Sequence, residues 1–262
     1  MKRVEIMGLE EIGEVRRDDC IAKLIHQACS HQGISLREGD ILVVAHKVVS
    51  KAEGRVVSLD GIEPSQRALE LSRQLENKDP RVVEMILRES RRIVRMGRAT
   101  IVVETHHGFI CANAGVDLSN VGLGQVVLLP QEPDRSAQTM REQIRNLAGV
   151  APAVIISDSF GRPWRLGTTD VALGVAGIKP IIDYRGERDA YGYELKGSVA
   201  AIADEIASAA ELVMGKKDGI PVVLVRGFTI EQTQGSARDL LRPPEEDLFR
   251  DSEEPSWQKK AL

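Results

Sequence analysis

The stretch Ile41-Leu42-Val43-Val44-Ala45-His46-Lys47-Val48-Val49-Ser50-Lys51 decides how the rest of this 262-residue chain reads. Four aliphatic residues in a row, with no polar alternation, describe a strand covered on both faces. His46-Lys47 end it, and Lys51 follows four residues later. A helical turn over residues 48–53 would place Lys47 and Lys51 on one side, a compact positive patch suited to phosphate. The same pair also reads as two ordinary surface lysines.

Working outward, Thr100-Ile101-Val102-Val103, Gln125-Val126-Val127-Leu128-Leu129, Val154-Ile155-Ile156 and Val222-Val223-Leu224-Val225 are runs of the same kind and read as further buried strands. Helical patterns lie between them. Residues 18–31 carry Ile21, Leu24, Ile25 and Ala28 on one face, with Asp18 or Asp19 as the N-cap. Residues 64–76 and 80–95 each open near a proline, and the second has Val83, Ile86, Leu87 and Val94 as an apolar stripe. Residues 134–147 form a polar-faced helix, and residues 198–214 form another, with Val199 among its buried positions and Gly215 as its stop.

This alternation predicts an α/β fold (α+β, mixed sheet), with antiparallel pairs included because His106-His107-Gly108 fits a hairpin turn. Residues 1–242 are expected to form one domain. Residues 243–262 begin Pro243-Pro244, carry six acidic residues, and are expected to be a peripheral, partly mobile tail.

Composition removes several function classes. The formal net charge is −4, from 35 Lys+Arg against 39 Asp+Glu, so the basic excess of a nucleic-acid binder is missing. Only 3% of residues are aromatic, too few for a base-stacking platform. No apolar run approaches a membrane span, and the start Met1-Lys2-Arg3-Val4-Glu5 lacks the apolar core of an export signal, so a cytoplasmic protein is expected. Cys20, Cys29 and Cys111 are odd in number, fit no paired metal spacing and read as small buried thiols. His106 and His107 are adjacent, so on a strand they face opposite sides and make a poor zinc pair. Residues 81–98 hold six arginines against two acids, read either as a phosphate-facing strip or as a solvated helix face. The phosphate-loop signature is absent, and Gly122-Leu123-Gly124-Gln125-Val126-Val127 breaks the dinucleotide fingerprint at its third glycine. The nucleophile-elbow and His-Glu-x-x-His patterns are absent too.

Two further segments carry more polar chemistry than a core needs. Asn113-Ala114-Gly115-Val116-Asp117-Leu118-Ser119-Asn120 follows the strand-like Gly108-Phe109-Ile110 and places Asp117 and Asn120 on a strand-end loop. It reads either as a hard-cation or hydroxyl-binding set or as an Asx-turn. In Ile155-Ile156-Ser157-Asp158-Ser159-Phe160-Gly161-Arg162-Pro163-Trp164-Arg165 a buried strand is expected to end in Ser-Asp-Ser and run into a loop. Asp158 and Ser159 would present oxygens to a hard cation beside a nucleotide, with Arg162 and Arg165 holding anions. A capping loop with surface arginines is the other reading.

The ordered set of these segments, with Asp189-Ala190-Tyr191-Gly192-Tyr193-Glu194-Leu195, Met214-Gly215-Lys216 and Asp218-Gly219-Ile220-Pro221-Val222-Val223, resembles the coenzyme F420-0:γ-glutamyl ligase family from about residue 4 to residue 230. The resemblance implies a homodimeric α/β ligase unrelated to P-loop, Rossmann or ATP-grasp folds. It implies that GTP phosphorylates the carboxylate of the deazaflavin precursor, after which the amine of L-glutamate attacks the acyl phosphate. Mg²⁺ or Mn²⁺ is implied, with K⁺ assisting. By position, Asp117, Asp158 and Ser159 would be metal ligands, Ser159 standing where relatives often have threonine. Asp204 and Glu205 point about 100° apart on a helix, and Glu205 is taken as the one facing the site. His46, Lys47, Lys51, Asn120 and Met214-Gly215-Lys216 would contact GTP. Leu9-Glu10-Glu11-Ile12 occupies the first nucleotide-contacting loop, departing from its usual proline-containing pattern. Many actinobacterial relatives carry a fused flavin-reductase-like domain, and at 262 residues this chain is expected to be the stand-alone form. A ligase of the same scaffold acting on another small carboxylate, and a non-enzymatic nucleotide- or metal-binding module, are the alternatives.

Overall fold

A computed structural model describes residues 2–229 and 233–249. The chain runs through β1 (Glu5–Gly8), α1 (Ile21–His31), β2 (Ile41–Ala45), α2 (His46–Ala52), β3 (Val56–Ser58), α3 (Gln66–Gln74), α4 (Pro80–Arg88) and β4 (Ser90–Met96). It continues through β5 (Ile101–Thr105), β6 (Ile110–Ala112), β7 (Gln125–Val127), α5 (Pro133–Ala148), β8 (Ala153–Arg162) and β9 (Arg165–Ala176). Last come β10 (Ile182–Asp183), β11 (Val199–Ala200), α6 (Ile202–Met214) and β12 (Val222–Arg226).

The main sheet has the order β1-β12-β2-β8-β9. β2 and β8 run parallel, with Val43 opposite Ile155 and Ala45 opposite Ser157. The other three pairs are antiparallel. The apolar runs lack alternation because both faces are covered. Leu42 and Val44 pack with Ile25 of α1 and with Ala137 and Ile144 of α5. Ile41 and Val43 face the other way, against Ala203, Ala207 and Ala210 of α6. At Gly174 an added Cβ would stand 2.4 Å from the carbonyl carbon of Pro133, so glycine lets the first turn of α5 rest on β9. A second core joins Leu71 and Ile86 of α3 and α4 to Ile101, Val103 and Val126. The expected α/β fold with a mixed sheet is what forms, and no described helix is long and apolar enough to cross a membrane.

Four local expectations are corrected. The helix expected over 80–95 stops at Arg88, and Ser90–Met96 becomes β4, paired antiparallel with β5. Only Ile93 of that strand is fully buried, so the stripe belongs to two elements, and Arg88, Arg92 and Arg81 pair with Glu84, Glu104 and Asp79 at 2.7–2.9 Å. The arginine-rich segment is thus an ion-paired surface. Helix α1 begins at Ile21 behind an uncapped Cys20, because Asp19 accepts a 2.7 Å hydrogen bond from the Arg16 amide instead. Helix α6 begins at Ile202, and the exposed Val199 pairs with Asp183 in a two-stranded ladder. The loop expected after Ser157-Asp158-Ser159 is a long hairpin, β8 turning into β9 at Pro163-Trp164 with Trp164 at φ 58°. By contrast, His106-His107-Gly108 does form the turn between β5 and β6. Of the acidic tail, Pro244–Glu246 forms a short 3₁₀ turn, and residues 250–262 lie outside the described residues.

Candidate functional site

A cleft of about 920 Å³ opens where β2 ends and its parallel pairing with β8 stops, the place where open α/β sheets put ligands. Its lining comes from Gly13-Glu14-Val15, the start of α2, the 117–122 loop, β8 with Asp170 of β9, and the turn between α6 and β12.

Each side chain is placed by a short structural device. The strand β2 passes directly into α2, so His46 turns inward and is buried while Lys47 and Lys51 lie one turn apart on the cleft side. His46 Nε2 lies 3.3 Å from Asp158 Oδ1, and its Nδ1 lies 3.4 Å from Ser50 Oγ. A tautomer protonated on Nε2 satisfies both contacts. Lys47 Nζ donates to Asp117 Oδ2 and to Ser119 Oγ, both at 2.6 Å. Asp117 in turn accepts from the Ser119 amide at 2.8 Å and the Ser119 hydroxyl at 3.0 Å. The 117–120 loop is therefore an Asx-turn whose carboxylate also faces a lysine, and Asn120 closes it at φ 60°. Lys51 Nζ bonds Glu14 Oε1 at 2.6 Å. After Met214, Gly215 ends α6 at φ 58° and turns Lys216 into the cleft.

Both aspartates are held as carboxylates. Burial acts to raise the pKa of Asp117, but the Lys47 ammonium and the Ser119 bonds outweigh it, and the net shift is downward. Burial acts on Asp158 in the same sense, and His46, the Ser159 amide and Lys47 together bring its pKa below the ordinary value. Lys216 is pushed upward: Glu211 at 2.7 Å and Asp170 at 3.6 Å more than offset its desolvation. Cys111, beside this wall, has its thiol pushed up to about 12 by burial and then by Asp158, so it stays protonated.

Among the described residues no group of three or more His, Cys, Asp or Glu could hold a metal ion by itself. Two carboxylates and hydroxyl oxygens fit Mg²⁺ in another way, since that ion is usually shared between one or two carboxylates and substrate phosphates. Lysines around the same carboxylates supply the charge such phosphates require.

The structure brings together Asp117, Asp158, Ser159, His46, Lys47, Lys51, Asn120, Met214, Gly215 and Lys216. Other expected residues do not line this cleft. Leu9 and Ile12 are buried core side chains, Glu10 and Glu11 are exposed, and the three residues after them reach the cleft instead. Glu205 points to solvent, whereas Asp204 turns inward to accept from the Ala172 amide at 2.8 Å, with its pKa raised by burial. Arg162 and Arg165 pair across the exposed tip of the β8–β9 hairpin. Asp170, Ser157, Ser119 and Glu14 were missed as site residues. Reading 153–176 as a hairpin would have found Asp170, because the register sets it opposite Ser159.

Comparison with known proteins fits this geometry. The family model for F420-0:Gamma-glutamyl ligase matches residues 10–227. The chain is 49% identical to the coenzyme F420:L-glutamate ligase of Methanopyrus kandleri, over 95% of this chain and 97% of that one. It is 47% identical to the protein of that name from Methanothermobacter thermautotrophicus, over 94% and 99%, and 46% identical to that from Methanocaldococcus jannaschii, over 95% and 98%. With a family match spanning most of its length and relatives aligned nearly end to end, the chain belongs to the F420-0:gamma-glutamyl ligase family.

Proposed function

We propose that this chain is a GTP-dependent, GDP-forming ligase that joins L-glutamate through its γ-linkage to the deazaflavin precursor of coenzyme F420. The observation that carries the reading is one cleft holding two ionised aspartates, Asp117 and Asp158, walled by Lys47, Lys51 and Lys216. The relatives named coenzyme F420:L-glutamate ligase support the substrate assignment.

The γ-phosphoryl group of GTP passes to a carboxylate oxygen of the precursor, and GDP leaves. The glutamate amine then attacks the acyl carbon, the carbon–oxygen bond to phosphate breaks, and the nitrogen loses a proton as the amide forms. Such chemistry needs positioning and charge neutralisation more than a protein nucleophile. Lys47, Lys51 and Lys216 hold the phosphates, and Asn120 with the Met214-Gly215-Lys216 turn borders the nucleotide. Asp117, Asp158 and Ser159 would hold Mg²⁺ or Mn²⁺, which when bound neutralises phosphate charge. His46 orients Asp158. K⁺ as a helper, a homodimer and a cytoplasmic setting belong to the same reading.

Purified protein mixed with GTP, Mg²⁺ or Mn²⁺, labelled glutamate and the deazaflavin precursor should yield glutamylated product with equimolar GDP. The absence of both products would sink the proposal. GDP release only with another small carboxylate would keep the scaffold's chemistry and replace the acceptor.

A further inference from the structure

Asp170 lies on β9 opposite Ser159 of β8 and is only 3% exposed. Its Oδ1 stands 2.7 Å from Ser159 Oγ and its Oδ2 stands 2.9 Å from Ser157 Oγ. A carboxylate accepts hydrogen bonds and does not donate them, whereas a serine hydroxyl has one proton and two lone pairs. Both serine protons are therefore directed inward at Asp170, and the cleft-facing side of Ser159 Oγ is left with lone pairs only. Among the described residues the one cleft group that touches this oxygen is a donor: Lys216 Nζ, at 2.5 Å.

This polarity matters because Ser159 could otherwise serve either of two opposite partners. With its proton outward it would donate to a phosphate oxygen; with its proton inward it can meet only a cation or a hydrogen-bond donor. We propose that Asp170 is a positioning residue that fixes the Ser159 hydroxyl as a cation-facing oxygen and prevents it from acting as a phosphate donor. Ser157, wholly buried, takes the second carboxylate oxygen and locks the carboxylate plane. The inference rests on the divalent-metal reading given above. An asparagine at 170 presents an amide donor in place of one acceptor, which lets the Ser159 proton turn to the cleft.

The test is Mn²⁺ binding to the full chain, followed by the loss of the free-ion electron paramagnetic resonance signal with a non-hydrolysable GTP analogue present. Asp170→Asn should weaken Mn²⁺ by about 10- to 100-fold, the usual cost of losing a residue that orients a metal ligand. Binding of the analogue without metal should not weaken, since no phosphate contact is removed and the Ser159 proton freed by the exchange can donate to a phosphate oxygen. In a Ser159→Ala background the Asp170→Asn exchange should add less than about two-fold, because the route through the hydroxyl is already gone. Additive losses would mean that the carboxylate acts through space and would overturn the proposal. Should Asp170→Asn fail to fold, Ser159→Ala alone decides: it leaves the buried carboxylate in place, and unchanged Mn²⁺ affinity overturns the proposal. A wild-type protein that binds no Mn²⁺ removes the metal reading and this inference with it, whereas normal wild-type binding matched by Asp170→Asn removes this inference alone.

Discussion

His46, the first residue of α2, and Asp158, on β8, meet at 3.3 Å, both largely buried, at the edge of the cleft. The parallel pairing of β2 and β8 sets them side by side, since Ala45 lies opposite Ser157 and the next residue along each chain carries the side chain. Removing His46 would leave a carboxylate that is 17% exposed without this partner. His46→Ala should therefore destabilise the fold by about 3 kcal/mol, a typical cost of breaking a buried pair. His46→Gln, which keeps a donor, should lose less. Urea unfolding at neutral pH measures both.

Asp117→Asn and Asp158→Asn are nearly isosteric and should each lower turnover by at least about 100-fold, as removing a group that neutralises transition-state charge does. The fold should survive, as circular dichroism would show. The pH dependence has a definite sign. Both groups have folded pKa values below the unfolded value of about 3.9, so the folded state binds their protons more weakly. Their contribution to stability is complete above about pH 5 and is lost as pH falls through the lowered folded values. The urea midpoint of the wild type should fall more steeply on acidification than that of Asp158→Asn. Parallel curves would contradict the pairing.

Lys51 is bonded to Glu14 and sits one turn from Lys47 on the cleft wall. Lys51→Ala should raise the KM for GTP by about 10-fold or more, the scale of one charge-assisted hydrogen bond. The KM for glutamate should change little. A larger effect on glutamate would reassign the residue.

The residues outside the cleft make the opposite prediction. Arg162→Ala, Arg165→Ala and Glu205→Gln remove charges at the exposed hairpin tip and on the solvent side of α6. Exposed changes of this kind leave distant sites largely untouched, so the KM for GTP and the affinity for Mn²⁺ should stay within about two-fold of wild type. Initial rates and Mn²⁺ titration test this, and a large loss in any of the three would bring that residue back to the site.

The runs 41–45 and 222–225 were legible because a strand buried on both faces leaves an uninterrupted apolar signature. The place of Asp158 on the cleft wall was legible for a related reason, since it closely follows the apolar run 153–156. What failed was the reading of glycine and hydroxyl residues as loop. In 157–170 a hairpin with two-sided polar exposure has no apolar alternation to mark it, and its most buried acid, Asp170, was indistinguishable in the sequence from a turn residue. The segment 80–95 failed differently, because Val94 continued a helical stripe across the boundary between α4, which ends at Arg88, and β4, which begins at Ser90. In the Leu9–Ile12 segment Leu9 and Ile12 face the core and Glu10 and Glu11 face solvent, and it is Gly13-Glu14-Val15 that line the cleft.

Among the described residues β12 is the last strand to be made; it is inserted between β1 and β2, and β1 has no other partner there in the sheet. A growing chain that has reached Met214 already contains Asp117, Asp158 and all of α2. It still cannot seat β1, and the turn carrying Lys216 has nothing to return to. The cleft is therefore completed only when synthesis has passed residue 226, so a shorter chain on the ribosome lacks the wall that carries Lys216.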